Sequence, residues 1–187
     1  MSKITELIRE NRSIRRFSQD VIPTEKDLLE MIDSARLSPS AGNLQRLLFT
    51  PVVENTSCDA VFETLAFAAY FGKWRPSESE KPTAYVIIWA QNEPDTNLAI
   101  DVGIAAQSIL LTARERGFGG CIFRSINKPA LVAALGKGHL VPVLVIALGK
   151  PGETVKITDS VDGNVKYYRD KNDVHCVPKK SLDDLIV

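Results

Sequence analysis

The stretch DVGIAAQSILLTARERGFGGC, residues 101–121, marks the middle of the fold that the sequence predicts. We predict a helix over residues 95–117, whose apolar side chains cover so much of its circumference that it must be buried on most sides. The glycines of GFGG (117–120) end this helix, and CIFRS (121–125) has the composition of a short strand. These residues therefore predict a central helix that is followed, after a glycine turn, by a strand of the core.

Helices and strands are mixed on both sides of this stretch. The clearest helix begins after Thr24, which suits an N-cap, and stops at Pro39. Pro51 favours an edge position or a bulge for the strand around it. Strict β-α-β alternation fails at both ends of the chain, so we expect an α+β fold, a sheet wrapped by helices. The other predicted helices cover 2–10, 23–39, 58–71 and 127 to 136 or 138, and the predicted strands cover 47–54, 84–90 and 140–149.

Beyond Gly149 the chain has little core-forming pattern. An Asp-Gly pair at 162–163 predicts a turn and a hairpin, and the last residues are expected to form a short helix or an extended arm. Such a tail must pack against something else, and a second subunit is one option. The sequence has no internal repeat and no evident boundary, so residues 1–187 are expected to form one domain.

The charges of the chain balance, since 23 lysines and arginines face 23 aspartates and glutamates. No global field therefore recruits nucleic acid or an anionic membrane, and any phosphate recognition must be local. Residues 1–20 lack the apolar core of a signal peptide, and an apolar run such as AYVIIWA (84–90) is far too short to cross a bilayer. We expect a soluble cytoplasmic protein.

The cysteines and histidines form no recognisable site. Cys58, Cys121 and Cys176 are widely separated, which argues against a disulfide framework and for a reducing compartment. His139 and His175 have no spacing that indicates a metal site with them.

Common catalytic motifs are missing from the sequence. It contains no Walker-type phosphate loop, no G-x-G-x-x-G after a strand, and no G-x-S-x-G or Cys/His arrangement for a nucleophilic hydrolase. If the protein is an enzyme, the reactive group must come from something other than its side chains.

Two segments in the N-terminal half could hold a ligand. NRSIRRF (11–17) offers Arg12, Ser13, Arg15 and Arg16, and arginine forks suit phosphate oxygens. The alternative is a solvated turn between two helices. SPSAGNLQ (38–45) offers small residues and two amides that can donate to and accept from a heteroaromatic edge. The alternative for this segment is a helix C-cap followed by an ordinary turn.

Two segments in the C-terminal half carry weaker signals. GFGG can expose backbone N–H groups to a ligand, although a helix C-cap is the commoner use of such glycines. VPKKSLDDLIV (177–187) places Lys179 and Lys180 ahead of an apolar patch, and terminal lysines are usually solvated.

Taken in this order, the four segments resemble the nitroreductase family of FMN-dependent oxidoreductases. That family has an RRSIRRF-like opening, a SPSAGNxQPW-like loop, a long central helix leading to a GLG-like turn, and a basic C-terminal arm. The matching segments here are NRSIRRF, SPSAGNLQ, residues 101–121 and residues 167–186, so the resemblance spans nearly the whole chain.

The resemblance implies a central, mostly antiparallel sheet flanked by helices, and a homodimer with two FMN sites at the subunit interface and an arm exchanged between protomers. It also implies that Arg12, Ser13 and Arg15 hold the FMN phosphate, approached by Lys179 or Lys180, with Arg16 and Arg169 as further candidates. Gly119 and Gly120 would present backbone to the ring. The loop residues near the ribityl chain and ring, reached from the partner subunit, would be Pro39, Ser40, Ala41, Asn43 and Gln45.

The chain departs from the family pattern at two places. Arg46-Leu47 replaces the usual Pro-Trp, so the substrate side of that loop differs. The middle-region ring contacts do not map clearly, and Lys73 and Asn97 are the candidates. Residues 70–85 look like the variable lid, which leaves substrate choice open.

The family's chemistry implies that NADH or NADPH gives a hydride to flavin N5 and that a nitroaromatic, quinone or similar small-molecule acceptor then takes it, in a ping-pong scheme. No catalytic protein side chain and no metal are required. One alternative is a non-catalytic flavin-binding or storage protein on the same fold. Another treats the arginines as a docking patch for a phosphorylated or acidic partner.

Overall fold

A computed structural model describes residues 2–67, 70, 72 and 74–187. Its helices are α1 (Lys3–Glu10), α2 (Glu25–Arg36), α3 (Asn55–Phe62), α4 (Thr96–Glu115) and α5 (Lys128–Leu135). Its strands are β1 (Phe17–Ser18), β2 (Leu48–Val52), β3 (Ala84–Ala90), β4 (Gly119–Phe123), β5 (Val141–Pro151), β6 (Val155–Asp159), β7 (Tyr168–Arg169) and β8 (His175–Lys179).

The main sheet is built around β5, which pairs with β3, β4 and β1, while β2 forms an edge beside β3. Every one of these pairings is antiparallel. The predicted α+β fold with a mostly antiparallel central sheet is therefore confirmed. Pro51 lies in the edge strand β2, as its missing N–H requires.

Helices cover both faces of this sheet. Alternate residues of β3 point to opposite sides, so Val86 and Ile88 pack with α2 and α4 while Ile87 and Trp89 pack with α3 and α5. Because both faces are covered, all seven residues of β3 are buried. One helix in the described part of the chain, α4, is long and apolar enough to span a membrane, but eight of its residues are buried in this protein core.

The N-terminal boundary of α2 follows from its sequence. Thr24 accepts a hydrogen bond from the Asp27 N–H, and the Asp27 carboxylate accepts one from the Thr24 N–H, which completes a capping box. At the other end of the protein, α5 stops at Gly136, which adopts the left-handed conformation (φ 62°) typical of a C-terminal glycine.

The prediction of a helix over 58–71 is wrong in its bounds. Helix α3 ends at Phe62, and the backbone that follows bonds to the segment after β4: Ala66 N–H donates to Ser125 O (3.1 Å), and Asn127 N–H donates to Thr64 O (2.8 Å). These long-range bonds replace the helical ones. Residues 68, 69 and 71 of the predicted helix lie outside the described residues.

The tail forms a second, small sheet. The predicted Asp162-Gly163 turn is present, with both residues at positive φ, but the strands on either side of it do not pair with each other. Instead β8 lies between β6, to which it is parallel, and β7, to which it is antiparallel. The end of the chain forms a single turn at 182–185 rather than a helix.

Gly120 in β4 lies where no side chain fits. A Cβ atom there would come within 2.5 Å of Ala147 O and 2.7 Å of a Leu110 methyl group. We expect Gly120→Ala to lower the free energy of unfolding by about 1–3 kcal/mol through overpacking. Urea unfolding tests this, with Gly138→Ala as the control, since a Cβ at Gly138 meets nothing within 4 Å. Equal costs for the two variants would contradict the prediction.

Candidate functional site

The arginine-rich segment is attached to the start of β4. Ile14 N–H donates to Gly120 O (2.9 Å), and Ser13 and Gly120 form a parallel bridge. Two segments that are more than a hundred residues apart in the sequence, NRSIRRF and GFGG, therefore lie side by side in the fold.

A cavity of about 250 Å³ opens between these two segments and the tail. Three cationic side chains line it, from Arg12, Arg15 and Lys179, so that positive charge from both ends of the chain converges on one space. We refer to it as the cationic cavity. The other lining residues are Asn11, Ser13, Gln107, Leu110, Gly120, Ile122, Tyr167, His175 and Val177.

Arg12 has capacity for a further hydrogen bond. One terminal nitrogen donates to Ile8 O (2.7 Å), while Nε is buried and has no hydrogen-bond partner among the described residues. Burial lowers the pKa of Arg12 from its ordinary value, because the charged guanidinium is partly removed from water. A buried donor without a partner costs free energy, so an anion at this position would stabilise the protein.

Arg15 is held by its backbone and by an aromatic ring. Its guanidinium lies 4.8 Å from the centre of the Tyr167 ring, a cation–π distance. Its N–H donates to Glu153 Oε1 at 2.5 Å.

Glu153 is the junction between the arginine segment and the tail. Its side chain is only 2% exposed. Besides the N–H groups of Arg15 and Arg16 (2.5 and 3.2 Å), it accepts a hydrogen bond from the Arg169 guanidinium at 2.5 Å. The carboxylate also lies 3.8 Å from His175 Nδ1. Nothing in the sequence pattern of Glu153 indicated this role.

The remaining predicted site residues do not line the cationic cavity. Arg16 forms ion pairs with Asp173 and Glu80 and lies over the Trp74 ring at 5.6 Å. Lys180 is exposed after the end of β8, and Gly119 is buried beside Gly120 without lining the cationic cavity. Asn97 is exposed in the first turn of α4. Lys73 lies outside the described residues.

His175 is fully buried and gives the protein a pH-dependent stability. Burial lowers its pKa to about 4; Glu153 opposes this shift, and Arg15 and Arg169 reinforce it. Because the folded-state pKa lies below the ordinary value of about 6.5, the folded protein binds fewer protons than the unfolded chain between these two values. The contribution of neutral His175 to the free energy of unfolding is therefore complete above pH 6.5, and it is lost as the pH falls towards 4.

We expect the free energy of unfolding to fall between pH 6.5 and 5 with a slope of up to about 1.4 kcal/mol per pH unit. Urea unfolding at several pH values measures this slope. His175→Gln should remove it, whereas His139→Gln, at an exposed position, should keep it. Equal slopes in the wild type and His175→Gln would contradict this assignment.

A second cavity, of about 500 Å³, lies along α4 and β4. Ile122 lines both spaces. Arg124, Lys128 and Glu93 bring charge to the second one, where Lys128 Nζ lies 3.5 Å from Glu93 Oε2. We refer to this second space as the α4 groove. Its other walls include Val102, Gly103, Ala106, Val143 and Leu144. The two cavities therefore adjoin at Ile122, the first lined by three cationic side chains and the second by more apolar ones.

The loop SPSAGNLQ is attached to α4 by two polar contacts, and the residue after the loop is attached to the N-cap of that helix. The Ser38 and Ser108 hydroxyls are 2.7 Å apart. Backbone N–H of Ala41 donates to Asp101 Oδ1 (2.9 Å). Beyond the loop, the Arg46 guanidinium forms two hydrogen bonds with Asp95, and Asn43 and Gln45 adopt positive φ values of 53° and 49°. Pro39, Ser40 and Gln45 line a third cavity, which is separate from the cationic one.

Helix α4 separates this loop from the cationic cavity. Asp101 and Ala105 face the loop side, whereas Gln107 and Leu110 line the cationic cavity. At 100° per residue, these two pairs lie about 120–180° apart around the helix. The two groups of predicted site residues therefore occupy opposite sides of α4 within one protomer.

Comparison with known proteins identifies the family of this chain. A family model described as the nitroreductase family matches residues 8–150, about three quarters of the chain. The chain belongs to the nitroreductase family.

Individual relatives agree with this membership. A protein of Archaeoglobus fulgidus with the provisional name NADH dehydrogenase/NAD(P)H nitroreductase is 29% identical over 160 residues, which cover 81% of this chain and 87% of the relative. The solved structure of an FMN-dependent nitroreductase from Clostridium difficile has a TM-score of 0.64 at 22% identity, covering 79% of this chain and 87% of that one. A nitroreductase family protein from Clostridium novyi has a TM-score of 0.67 at 21% identity, with both chains covered completely.

Several residues that line the two cavities were not predicted from the sequence. Gln107 offered a signal, since it is a polar amide in the middle of a predominantly apolar helix. Arg124 and Tyr167 offered none, because an arginine after a strand and a tyrosine in a polar tail are ordinary residues there. Arg124 and Tyr167 lie beside these cavities only because of the way in which β4 and the tail pack.

Proposed function

We propose that this nitroreductase-family protein is an FMN-dependent enzyme that uses NADH or NADPH to reduce nitroaromatic, quinone or similar small-molecule acceptors by a ping-pong mechanism. The observation that carries the proposal is the cationic cavity, on which Arg12, Arg15 and Lys179 converge and beside which the α4 groove lies. The names of the Archaeoglobus fulgidus relative and of the Clostridium difficile structure support the same cofactor and electron donor.

The cationic cavity fits the phosphate of FMN. Arg12, Ser13, Arg15 and Lys179 would hold it, and Arg12 Nε is a buried donor that a phosphate oxygen would satisfy. Charge-assisted bonds of this kind are about twice as strong as bonds between neutral groups. Arg16 and Arg169 would support the site indirectly, because their ion pairs tie the arginine segment to the tail.

The α4 groove would receive the ring of the cofactor. When bound, FMN supplies the redox chemistry, by accepting a hydride from the nicotinamide and passing it to the acceptor. The protein's own contribution would be to hold and orient the cofactor. Gly119 and Gly120 would leave room for its ring, since neither carries a side chain, and Arg124 would place positive charge near a reduced, anionic ring.

A homodimer would complete the site. Since α4 separates the loop from the cationic cavity, Pro39, Ser40, Ala41, Asn43 and Gln45 would reach FMN bound to the partner subunit. Apolar side chains near the end of the chain are also exposed, at Leu182, Leu185 and Ile186. In an arm exchange, the segment that contains them and Lys180 would pack against the second protomer, which would cover these side chains. We propose a cytoplasmic homodimer with residues 1–187 as one domain in each protomer.

The visible spectrum of the purified protein, before and after anaerobic addition of NADH and of NADPH, tests the proposal. We expect the yellow absorbance of oxidised flavin, release of FMN on denaturation, and bleaching by at least one donor, followed by recovery with a quinone. If the flavin stays oxidised with both donors, the protein binds flavin without acting as an NAD(P)H-dependent reductase. A colourless protein that takes up no added FMN would overturn the proposal altogether.

A further inference from the structure

His175 is a titratable side chain in the wall of the cationic cavity. It is fully buried at the first position of β8, where the strand pairs with Val155 of β6 and Arg169 of β7. The proposed function gives this histidine no role in holding the cofactor. Because it shares one space with the cations that would bind the FMN phosphate, its charge and the charge of a bound anion must influence each other.

Two cations and one carboxylate face the His175 ring from other segments. Arg15 comes from the arginine-rich segment and Arg169 from β7, and both oppose protonation of the ring. Glu153, between β5 and β6, favours protonation, with its carboxylate 3.8 Å from His175 Nδ1. The Tyr167 ring covers another side, with the ring centres 5.2 Å apart. Burial, reinforced by the two cations, outweighs the carboxylate and lowers the pKa of His175 to about 4, so the ring is neutral near pH 7.

An anion in the cationic cavity would change this balance. Arg12, Arg15 and Lys179 would hold it, so its negative charge would enter the same space that the His175 ring lines. It would also offset the charge of Arg15, which otherwise opposes protonation. An opposite charge within about 4–6 Å of an ionisable group typically moves its pKa by about 1–3 pH units in favour of the charged form. A bound dianion therefore favours the protonated ring.

We propose that anion binding in the cationic cavity is coupled to proton uptake by His175, so that the cavity binds its anion more tightly as the pH falls. Such coupling is reciprocal, since an anion that attracts a proton is held more strongly by the same factor once the proton is bound. Arginine and lysine ordinarily keep their charge between pH 5 and 7.5, whereas histidine changes charge in this range. The inference rests on the anion site of the proposed function but on no property of the flavin ring.

The imidazole resonances of the full-length, flavin-free protein, followed by NMR between pH 7.5 and 5, test this inference. The chain has two histidines, and the resonance of the exposed one is identified by its loss in His139→Gln. Sulfate is the probe, because it stays a dianion over this range, whereas a phosphate monoester takes up a proton at about pH 6. Sodium chloride at the same ionic strength is the reference, since it screens charges equally.

We expect saturating sulfate to raise the titration midpoint of His175 by at least about one pH unit and to leave that of His139 unchanged. Sulfate should correspondingly bind about two- to tenfold more tightly at pH 5 than at pH 7.5. Arg12→Ala should weaken sulfate binding, because it removes one of the three cations that line the cavity, whereas Arg9→Ala, outside it, should not. His175→Gln should bind sulfate equally at the two pH values.

A His175 midpoint that neither saturating sulfate nor bound FMN moves would overturn the inference and leave FMN binding as it stands. Sulfate affinity that rises with falling pH in His175→Gln as it does in the wild type would also overturn it. If this variant does not fold, the wild-type midpoint still decides, because it needs no substitution. A protein that takes up no FMN but shows the sulfate effect would keep the coupling and overturn the proposed cofactor instead.

Discussion

The variant with both Arg12→Ala and Arg15→Ala is expected to bind FMN at least about a hundredfold more weakly than the wild type. Each arginine would give charge-assisted hydrogen bonds worth about 1.5–3 kcal/mol to the phosphate, and the two act on the same group. The fold should survive, because Arg12 and Arg15 line the cationic cavity rather than the core. Fluorescence titration of the flavin-free protein with FMN measures the affinity, and circular dichroism checks the fold.

Arg9→Ala provides the matched control for this variant. Arg9 is an exposed arginine in the last turn of α1, outside the residues that line the cationic cavity. It should leave FMN affinity within about threefold of the wild type, since an exposed side chain outside the cavity gives the phosphate no hydrogen bond and its charge is screened by water and salt. Equal FMN affinity in the double variant and in Arg9→Ala would contradict the assignment of the FMN phosphate to this cavity.

Glu153→Ala is expected to destabilise the protein by about 3–5 kcal/mol. The substitution leaves the Arg169 guanidinium without its buried partner and removes the acceptor of the Arg15 and Arg16 N–H groups. For a protein of this size, such a loss lowers the melting temperature by about 6–20 °C. Differential scanning calorimetry gives this shift directly.

Asp173→Ala separates the role of Glu153 from that of its neighbours. Asp173 also pairs with Arg16 and Arg169, but its side chain is 61% exposed, so its removal should cost less than about 1 kcal/mol. If Asp173→Ala proves as costly as Glu153→Ala, the buried position of Glu153 is not what stabilises the junction.

The parts of the fold that the sequence predicted are those with local causes. Thr24 caps the start of a helix with its own side chain, Gly136 ends another helix with its own backbone, and the seven residues of β3 are apolar because both of their faces are covered. The four segments of the resemblance could also be found in advance. If these segments bind FMN as proposed, their residue types follow from the chemistry of that ligand and not from the surrounding packing.

The parts that the sequence did not predict depend on contacts between distant segments. Helix α3 ends early because the backbone after it bonds to Ser125 and Asn127, and a local apolar pattern contains no trace of those bonds. The same holds for the parallel pairing of β6 with β8. The burial of Glu153 and Asp101 was not predicted for a related reason, since it depends on elements that are distant from them in the sequence.

The cationic cavity draws Arg12, Gly120 and Lys179 from the beginning, the middle and the end of the polypeptide. Contacts with such large sequence separation form slowly, because the intervening chain must first be brought together. All five strands of the main sheet end by Pro151, whereas Lys179 lies in the small sheet of the tail. A chain cut after residue 151 would therefore keep every strand of the main sheet and lose one of the three cations of the cavity, so that FMN affinity, if FMN binds there as proposed, would depend on the tail.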